Sequence, residues 1–138
     1  MTERYETFAH ESDIGIRGFG NTLEEAFEAA AMAMYSVIAK IELIKPSQRN
    51  EVTASAPDSE MLLVEWLNAL LSLSDVERMV YSKFIVKIEG TALTGSAWGE
   101  KLDRTRHEPK VEVKGATYHM LKVYKNGALY IAQCVVDV

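Results

Sequence analysis

The strongest candidate for chemistry is the end of the chain. Ala128 to Val138 reads as an apolar strand, yet its penultimate residue is Asp137, and the chain-end carboxylate of Val138 follows at once. A carboxylate at the end of an apolar strand needs a cation, several donors or a metal. Two hard oxygen anions this close repel unless a cation sits between them, and oxygen-only ligation favours Ca²⁺ or Mg²⁺ over zinc. The alternative is that Val138 frays and Asp137 is simply solvated. Asn126-Gly127 is a strong two-residue hairpin signal. With that turn and no bulge, Lys125 opposes Ala128, His119 opposes Cys134 and Ala116 opposes Asp137. The last residues are then expected beside Gly115-Ala116-Thr117-Tyr118-His119, which adds a hydroxyl and an imidazole to the carboxylates. Near the start, His10-Glu11-Ser12-Asp13 supplies the same residue types, with Asp13 placed just before an apolar strand. His10 and His119 are candidate proton carriers or polar contacts.

Other chemistries find little support. No Cys or His pair has zinc spacing, and no Gly-x-Ser-x-Gly elbow exists. Gly18-Phe19-Gly20 lacks the third glycine of a dinucleotide loop, and no Gly-Lys-Ser/Thr follows it. The lone cysteine, Cys134, cannot form an internal disulfide and reads as a small buried hydrophobe in a reducing compartment. A self-contained enzyme is not visible. The enzymatic alternative is a metal-dependent phosphatase or phosphodiesterase built on Asp13, Asp137 and His119.

The elements that position these residues follow from periodicity. Tyr5 to Phe8 is a short strand, and Ile14, Ile16 and Phe19 mark a second. Gly15, Gly18 and Gly20 interrupt that second strand, which points to a bend or a close backbone approach. Thr22 and Glu25 form a capping box. Leu23, Phe27, Ala30, Met34, Val37, Ile38 and Ile41 then recur at helical spacing, with Pro46 closing the helical region. Glu51 to Ala56 reads as a strand. Pro57-Asp58-Ser59 starts a second helix, Met61 to Leu73, apolar over more than half its circumference and hence central. Glu65 and Asn68 are its few polar interruptions. After Asp75 the pattern turns to strands: Val80 to Glu89, then Ala92 to Trp98. The charged stretch Gly99 to Pro109 reads as a solvated loop or helical turn, with His107 exposed. Lys110 to Lys114 alternates again, and His119 to Lys125 pairs with Ala128 to Val138. That order is α+β, with helices packed on antiparallel sheets.

The chain has 138 residues, 48% apolar and 25% charged, which fits one globular domain over residues 1–138. Its 15 basic and 20 acidic residues leave a net charge of −5, which argues against strong direct binding to nucleic-acid phosphates. The start, Met1-Thr2-Glu3-Arg4-Tyr5-Glu6, lacks the apolar core of a signal peptide. No stretch approaches the run of about 20 apolar residues that spans a bilayer. A soluble, cytoplasmic protein without membrane contact is expected.

Five segments in order resemble the archease family. His10-Glu11-Ser12-Asp13-Ile14-Gly15-Ile16 is similar to its opening His-x-x-Asp-x-Gly signature. Thr22 to Phe27 and Leu62 to Asn68 look like its two helices. Lys114-Gly115-Ala116-Thr117-Tyr118-His119 matches its Lys-Ala-x-Thr-Tyr-His segment, and Asp137-Val138 its usual Asp-Val ending. Glu11 stands where a Thr is common, and Gly115 where an Ala is common. The resemblance implies an antiparallel β-sandwich-like α+β domain with two main helices. It implies a non-catalytic accessory protein that promotes guanylylation and multiple turnover of the GTP-dependent RtcB-type RNA ligase of tRNA splicing. It also implies a divalent cation, Ca²⁺ first, with Mg²⁺ or Mn²⁺ as substitutes, held by Asp13, Asp137 and Val138. His10, Lys114, Tyr118 and His119 rank next, as supports of that site or contacts to a partner. Archaeal relatives are also described as modulators of a tRNA cytosine methyltransferase, which is the alternative partner.

Overall fold

Thr22 and Asp58 start the two long helices as their sequence signals require. The Thr22 hydroxyl accepts from the Glu25 N–H at 3.1 Å, and Asp58 Oδ1 accepts from the Met61 N–H at 2.8 Å. Each bond satisfies an amide that has no partner within its helix. In the capping box the Glu25 carboxylate reaches back to the Asn21 N–H, at 3.2 Å. The first helix, α1, runs Leu23–Ile38 and the second, α2, Ser59–Glu77. Helix α2 is longer than its apolar pattern suggests and stops only at Arg78, which takes a left-handed conformation at the cap. The computed structural model describes residues 4–138; Met1, Thr2 and Glu3, part of the polar start, lie outside the described residues.

Eight strands surround these helices. They are β1 Tyr5–His10, β2 Asp13–Gly20, β3 Gln48–Ser55, β4 Met79–Glu89, β5 Ala92–Lys101, β6 Gly115–Ala116, β7 Lys122–Asn126 and β8 Leu129–Asp137. A 3₁₀ turn, Ile41–Leu43, follows α1, and a one-turn helix, α3, spans Arg104–His107. All strand pairs are antiparallel. The larger sheet runs β1-β2-β8, and β6 and β7 share the far edge of β8 one after the other; the smaller sheet is β3-β5-β4. Both long helices pack on strands of both sheets. That arrangement explains their composition, because a helix covered on two sides has little surface left for polar residues. Along α1, Ala26, Phe27, Ala30, Ala31, Ala33, Met34 and Tyr35 are wholly buried, as are Leu63, Trp66, Leu67 and Leu70 of α2. The chain is α+β, with antiparallel sheets packed against helices.

Small residues set the helix–sheet spacing. A Cβ added at Gly18 would lie 2.3 Å from the Ala30 nitrogen and 2.4 Å from the Ala26 oxygen. Gly18 and Gly20 of β2 therefore mark close backbone approach, one of the two expected reasons for these glycines, whereas Gly15 makes room for the Phe8 ring. Trp66 joins the two helices through its indole N–H, which donates to the Phe27 carbonyl at 3.1 Å. Two helical glutamates cover open strand edges: Glu28 accepts from the Val86 N–H at 2.9 Å, and Glu60 from the Val123 N–H at 3.3 Å. Covering an edge amide removes a template for pairing with another chain. Partial burial raises the Glu28 carboxyl above its ordinary value, and the bond from Val86 opposes that shift.

Several expected boundaries move. The hairpin turn is Gly127-Ala128, so that Asn126 pairs with Leu129 and Lys125 with Tyr130. Gly127 supplies the positive φ of 65°. Strand β7 begins only at Lys122, because Tyr118 to Met120 form a turn with Met120 in the left-handed region. Lys110 to Lys114 does not join a sheet despite its alternation. His107, read as exposed, is completely buried.

Candidate functional site

The start of β2 and the end of β8 meet at one end of the larger sheet. Ile14 pairs with Val136, so the next residues along, Asp13 and Asp137, face each other across adjacent strands. The Val138 N–H donates to Asp13 Oδ1 at 3.4 Å. On the other side of β8, Gly115 pairs with Asp137 and Ala116 with Val136. Sequence pairing placed Ala116 opposite Asp137, one residue out. The shifted turn and the Tyr118–Met120 kink account for the difference, because a slip in a hairpin propagates along both strands. The approach of Val138 to Asp13 depends on the pairing of β2 with β8 and not on the hairpin.

The main chain at this end is tightly held. The Lys114 N–H donates to the Asp137 carbonyl at 2.7 Å. Asn68 of α2 holds Ala116 from both sides, its Oδ1 accepting from the Ala116 N–H at 2.8 Å and its Nδ2 donating to the Ala116 carbonyl at 3.3 Å. Thr117 donates from its hydroxyl to the Val135 carbonyl at 2.8 Å and accepts from the His119 N–H at 3.2 Å. The Val135 N–H in turn donates to the His119 carbonyl at 3.0 Å. Asn68 was visible in the sequence only as a polar residue on an apolar helix. Its amide supplies what a two-residue strand lacks, a second ladder on its other edge.

Of the remaining candidates, His10 and His119 lie together with ring centroids 5.9 Å apart. Lys114 contributes its main chain while its side chain is exposed, and Tyr118 is 59% exposed. Asp13 and Asp137 are in no ion pair with any described Lys, Arg or His. Among the described residues no three His, Cys, Asp or Glu side chains converge on one point. A hard cation here would need a third oxygen from the chain itself, and Val138, whose N–H reaches Asp13, is the residue placed to give one. This donor set is all oxygen and carries no counter-charge of its own, so it fits Ca²⁺ or Mg²⁺ chemistry. The turn between β1 and β2 brings Glu11 to the same end, in a left-handed conformation with φ of 54°.

The Cys134 thiol adds no nucleophile to these groups. Cys134 is wholly buried, and burial pushes its thiol up to about 12, opposed only in part by the Thr117 N–H. Such a thiol is not a nucleophile at neutral pH.

A second cluster of charged groups lies around α3. His107 Nδ1 accepts from the Asp103 N–H at 2.9 Å, so Nε2 carries the proton and donates to Glu100 at 2.8 Å. Arg106 pairs with the other Glu100 oxygen at 2.6 Å, and the Lys45 N–H adds a bond at 2.8 Å. The Arg106 guanidinium above all holds the Glu100 carboxyl down at about 2; burial works against it, and Lys45 and His107 assist. A free glutamate titrates near 4.5. The stabilisation is therefore complete above about 4.5 and is lost as pH falls towards 2, because the unfolded chain takes up the proton first. Urea unfolding of Glu100→Gln should show its largest loss at pH 5 and converge with the wild type as the pH is lowered through that window. Both nitrogens of His107 are engaged, so this cluster reads as structural.

The model of the archease protein family matches residues 5–138. The chain belongs to the archease family. It is 43% identical to protein archease of Sulfurisphaera tokodaii over 99% of both chains, and 44% identical to that of Pyrococcus abyssi, again over 99% of both. Among solved structures it resembles Methanobacterium thermoautotrophicum protein 1598, with a TM-score of 0.87 and 35% identity, covering 99% of this chain and 100% of the other. The fold also matches a Thermotoga maritima protein described as an archease and possible chaperone, at TM-score 0.60 and 21% identity over 96% of each chain. Three of the five segments that carry the archease resemblance fall at the structural end described above, on the β1–β2 turn with β2, on β6 with its flanking residues and at the end of β8, and the other two lie on α1 and α2. Among the described residues of this archease, no helix is long and apolar enough to cross a membrane.

Proposed function

We propose that this archease is a non-catalytic activator of a GTP-dependent RtcB-type RNA ligase in the cytoplasm, and that Asp13, Asp137 and Val138 hold a divalent cation, Ca²⁺ in first place. The observation that carries the reading is the meeting of β2 and β8, which sets the Val138 N–H 3.4 Å from Asp13 with no described basic side chain to neutralise the carboxylates. The description of the Thermotoga protein as a possible chaperone is in keeping with a role exercised on a partner.

The chain's own residues do three things in this reading. Asp13, Asp137 and Val138 present oxygen donors at an exposed end of a rigid sheet. Asn68 and Thr117 fix the strands that carry those donors, so the arrangement exists before the partner arrives and costs little ordering on binding. The net charge of −5 speeds docking onto a basic RNA-binding surface. The cation, when bound, supplies positive charge where phosphoryl transfer depends on positioning and charge neutralisation.

The test is single-turnover guanylylation of the ligase with Asp13→Asn and Asp137→Asn. Both variants should stay folded and lose stimulation by roughly tenfold or more. Folded variants that stimulate like the wild type overturn the proposal. Phosphate released from nucleotides by the wild type without ligase would favour the phosphatase reading instead.

A further inference from the structure

A cleft of about 860 Å³ lies between the C-terminal halves of α1 and α2, the start of β4 and residues 109–114, and reaches the acidic end through Asn68 and Lys114. Ile38, Leu71 and Leu102 are among its lining and supply apolar surface. Its charge runs against that of the molecule. Arg78, Arg104, Lys110 and Lys114 line it, against only Asp75 and Glu112, in a chain of net charge −5. Lys110 is occupied, its ammonium donating to the Ser36 carbonyl at 3.1 Å. The side chains of Arg78, Arg104 and Lys114 make no ion pair or hydrogen bond with other described residues.

One wall of the cleft is the segment whose sequence alternates like a strand but has no strand partner. A strand pairs through the N–H and C=O groups of alternate residues along one edge. Lys110 and Lys114 use their N–H groups on Ile38 and Asp137, at 2.8 and 2.7 Å. The main chain of Val111, Glu112 and Val113 makes no hydrogen bond to other described residues. Val113 is buried, whereas Val111 is 40% exposed and lines the cleft. Together these are a stretch of main chain without hydrogen-bond partners among the described residues, apolar lining residues and unneutralised cations.

We propose that this cleft receives an extended acidic segment of a partner protein, which adds as a strand along Val111–Val113 and places its carboxylates against Arg78, Arg104 and Lys114. Main-chain pairing then supplies the affinity, and alternate side chains on the apolar lining residues supply the selectivity. The proposal needs neither the cation nor the ligase, and although Lys114 borders both places, Arg78, Arg104 and Val111, where it is tested, are not among the cation-site residues, so either reading can fail without the other.

The probe is a labelled Glu-Val-Glu-Val-Glu peptide, titrated with the full chain by fluorescence anisotropy, with Lys-Val-Lys-Val-Lys as control. Binding should be saturable, tighter than about 1 mM and weakened by salt. Amide exchange should slow at Val111 and Val113. Arg78→Gln with Arg104→Gln should weaken binding roughly fivefold or more. Val111→Pro should do the same by removing one main-chain donor while leaving the melting temperature unchanged. Equal binding of the lysine peptide, full competition by inorganic phosphate, or unchanged binding by a folded Val111→Pro variant overturns the proposal. A Val111→Pro variant that melts early is replaced by the amide-exchange measurement on the wild type, where unchanged exchange at Val111 and Val113 overturns it equally.

Discussion

Replacing Gly18 by alanine should destabilise the protein by about 3 kcal/mol, the upper part of the range for overpacking. For a domain of this size that is roughly 10 °C of melting temperature. The added methyl carbon would lie 2.3 Å from the Ala30 nitrogen, 2.4 Å from the Ala26 oxygen and 2.8 Å from the Ala29 carbonyl carbon. All three are main-chain atoms of α1, so no rotamer change relieves the clash and the helix must lift from β2. Lifting α1 disturbs packing on both sheets, because its opposite side lies on β4. Gly115→Ala is the informative contrast. Its Cβ would meet only the Asn68 carbonyl oxygen, at 3.5 Å, an ordinary contact. There the loss of unfolded-state freedom dominates, and a gain of about 0.4–1 kcal/mol is expected. Thermal melts of the two variants beside the wild type decide it: similar melting temperatures for both would show that α1 and β2 are not set by the glycine.

Why some of this was legible beforehand and some was not has a physical basis. Helix starts are local: Thr22 and Asp58 bond amides only three residues away, so the signal is complete within a short window. The antiparallel α+β class follows from the same local periodicities, whereas the grouping of Asp13 with Asp137 comes from the family resemblance, because no local pattern pairs β2 with β8. Cys134, flanked by apolar residues, is buried as read. The failures share a different cause. His107 sits in a run of charged residues, and its burial depends on Glu100 and Asp103 engaging both ring nitrogens. Those two partners are themselves part of the charged run, so composition hides the cluster. The hairpin register failed because the positive φ falls at Gly127 as the first turn residue and not the second, and because Met120 turns the chain before β7. The role of Asn68 is not legible locally, since its partner, Ala116, lies 48 residues away.

Removing the charge of Asp137 should have opposite effects with and without a cation. In the absence of divalent ions, Asp13 and Asp137 face each other on adjacent strands without a described basic partner. Like charges directly opposite in an antiparallel pair are destabilising, and the Val138 carboxylate adds to the repulsion. Asp137→Asn should therefore melt slightly higher than the wild type in chelator and low salt, by the equivalent of about 0.2–1 kcal/mol, with the gain shrinking as salt is added. Calcium should reverse the order. A ligand at a hundred times its dissociation constant stabilises the native state by about 2.7 kcal/mol, or roughly 10 °C here. Only the wild type retains the full oxygen set, so only it should rise. The crossing of the two melting temperatures as calcium is titrated distinguishes a cation site from a merely solvated carboxylate. A solvated Asp137 predicts parallel curves at every calcium concentration. A C-terminal extension that converts the Val138 carboxylate to an amide should behave like Asp137→Asn in both conditions, because it removes the same kind of charge from the same place. The two variants together separate the need for negative oxygens at this end from any peculiarity of one side chain.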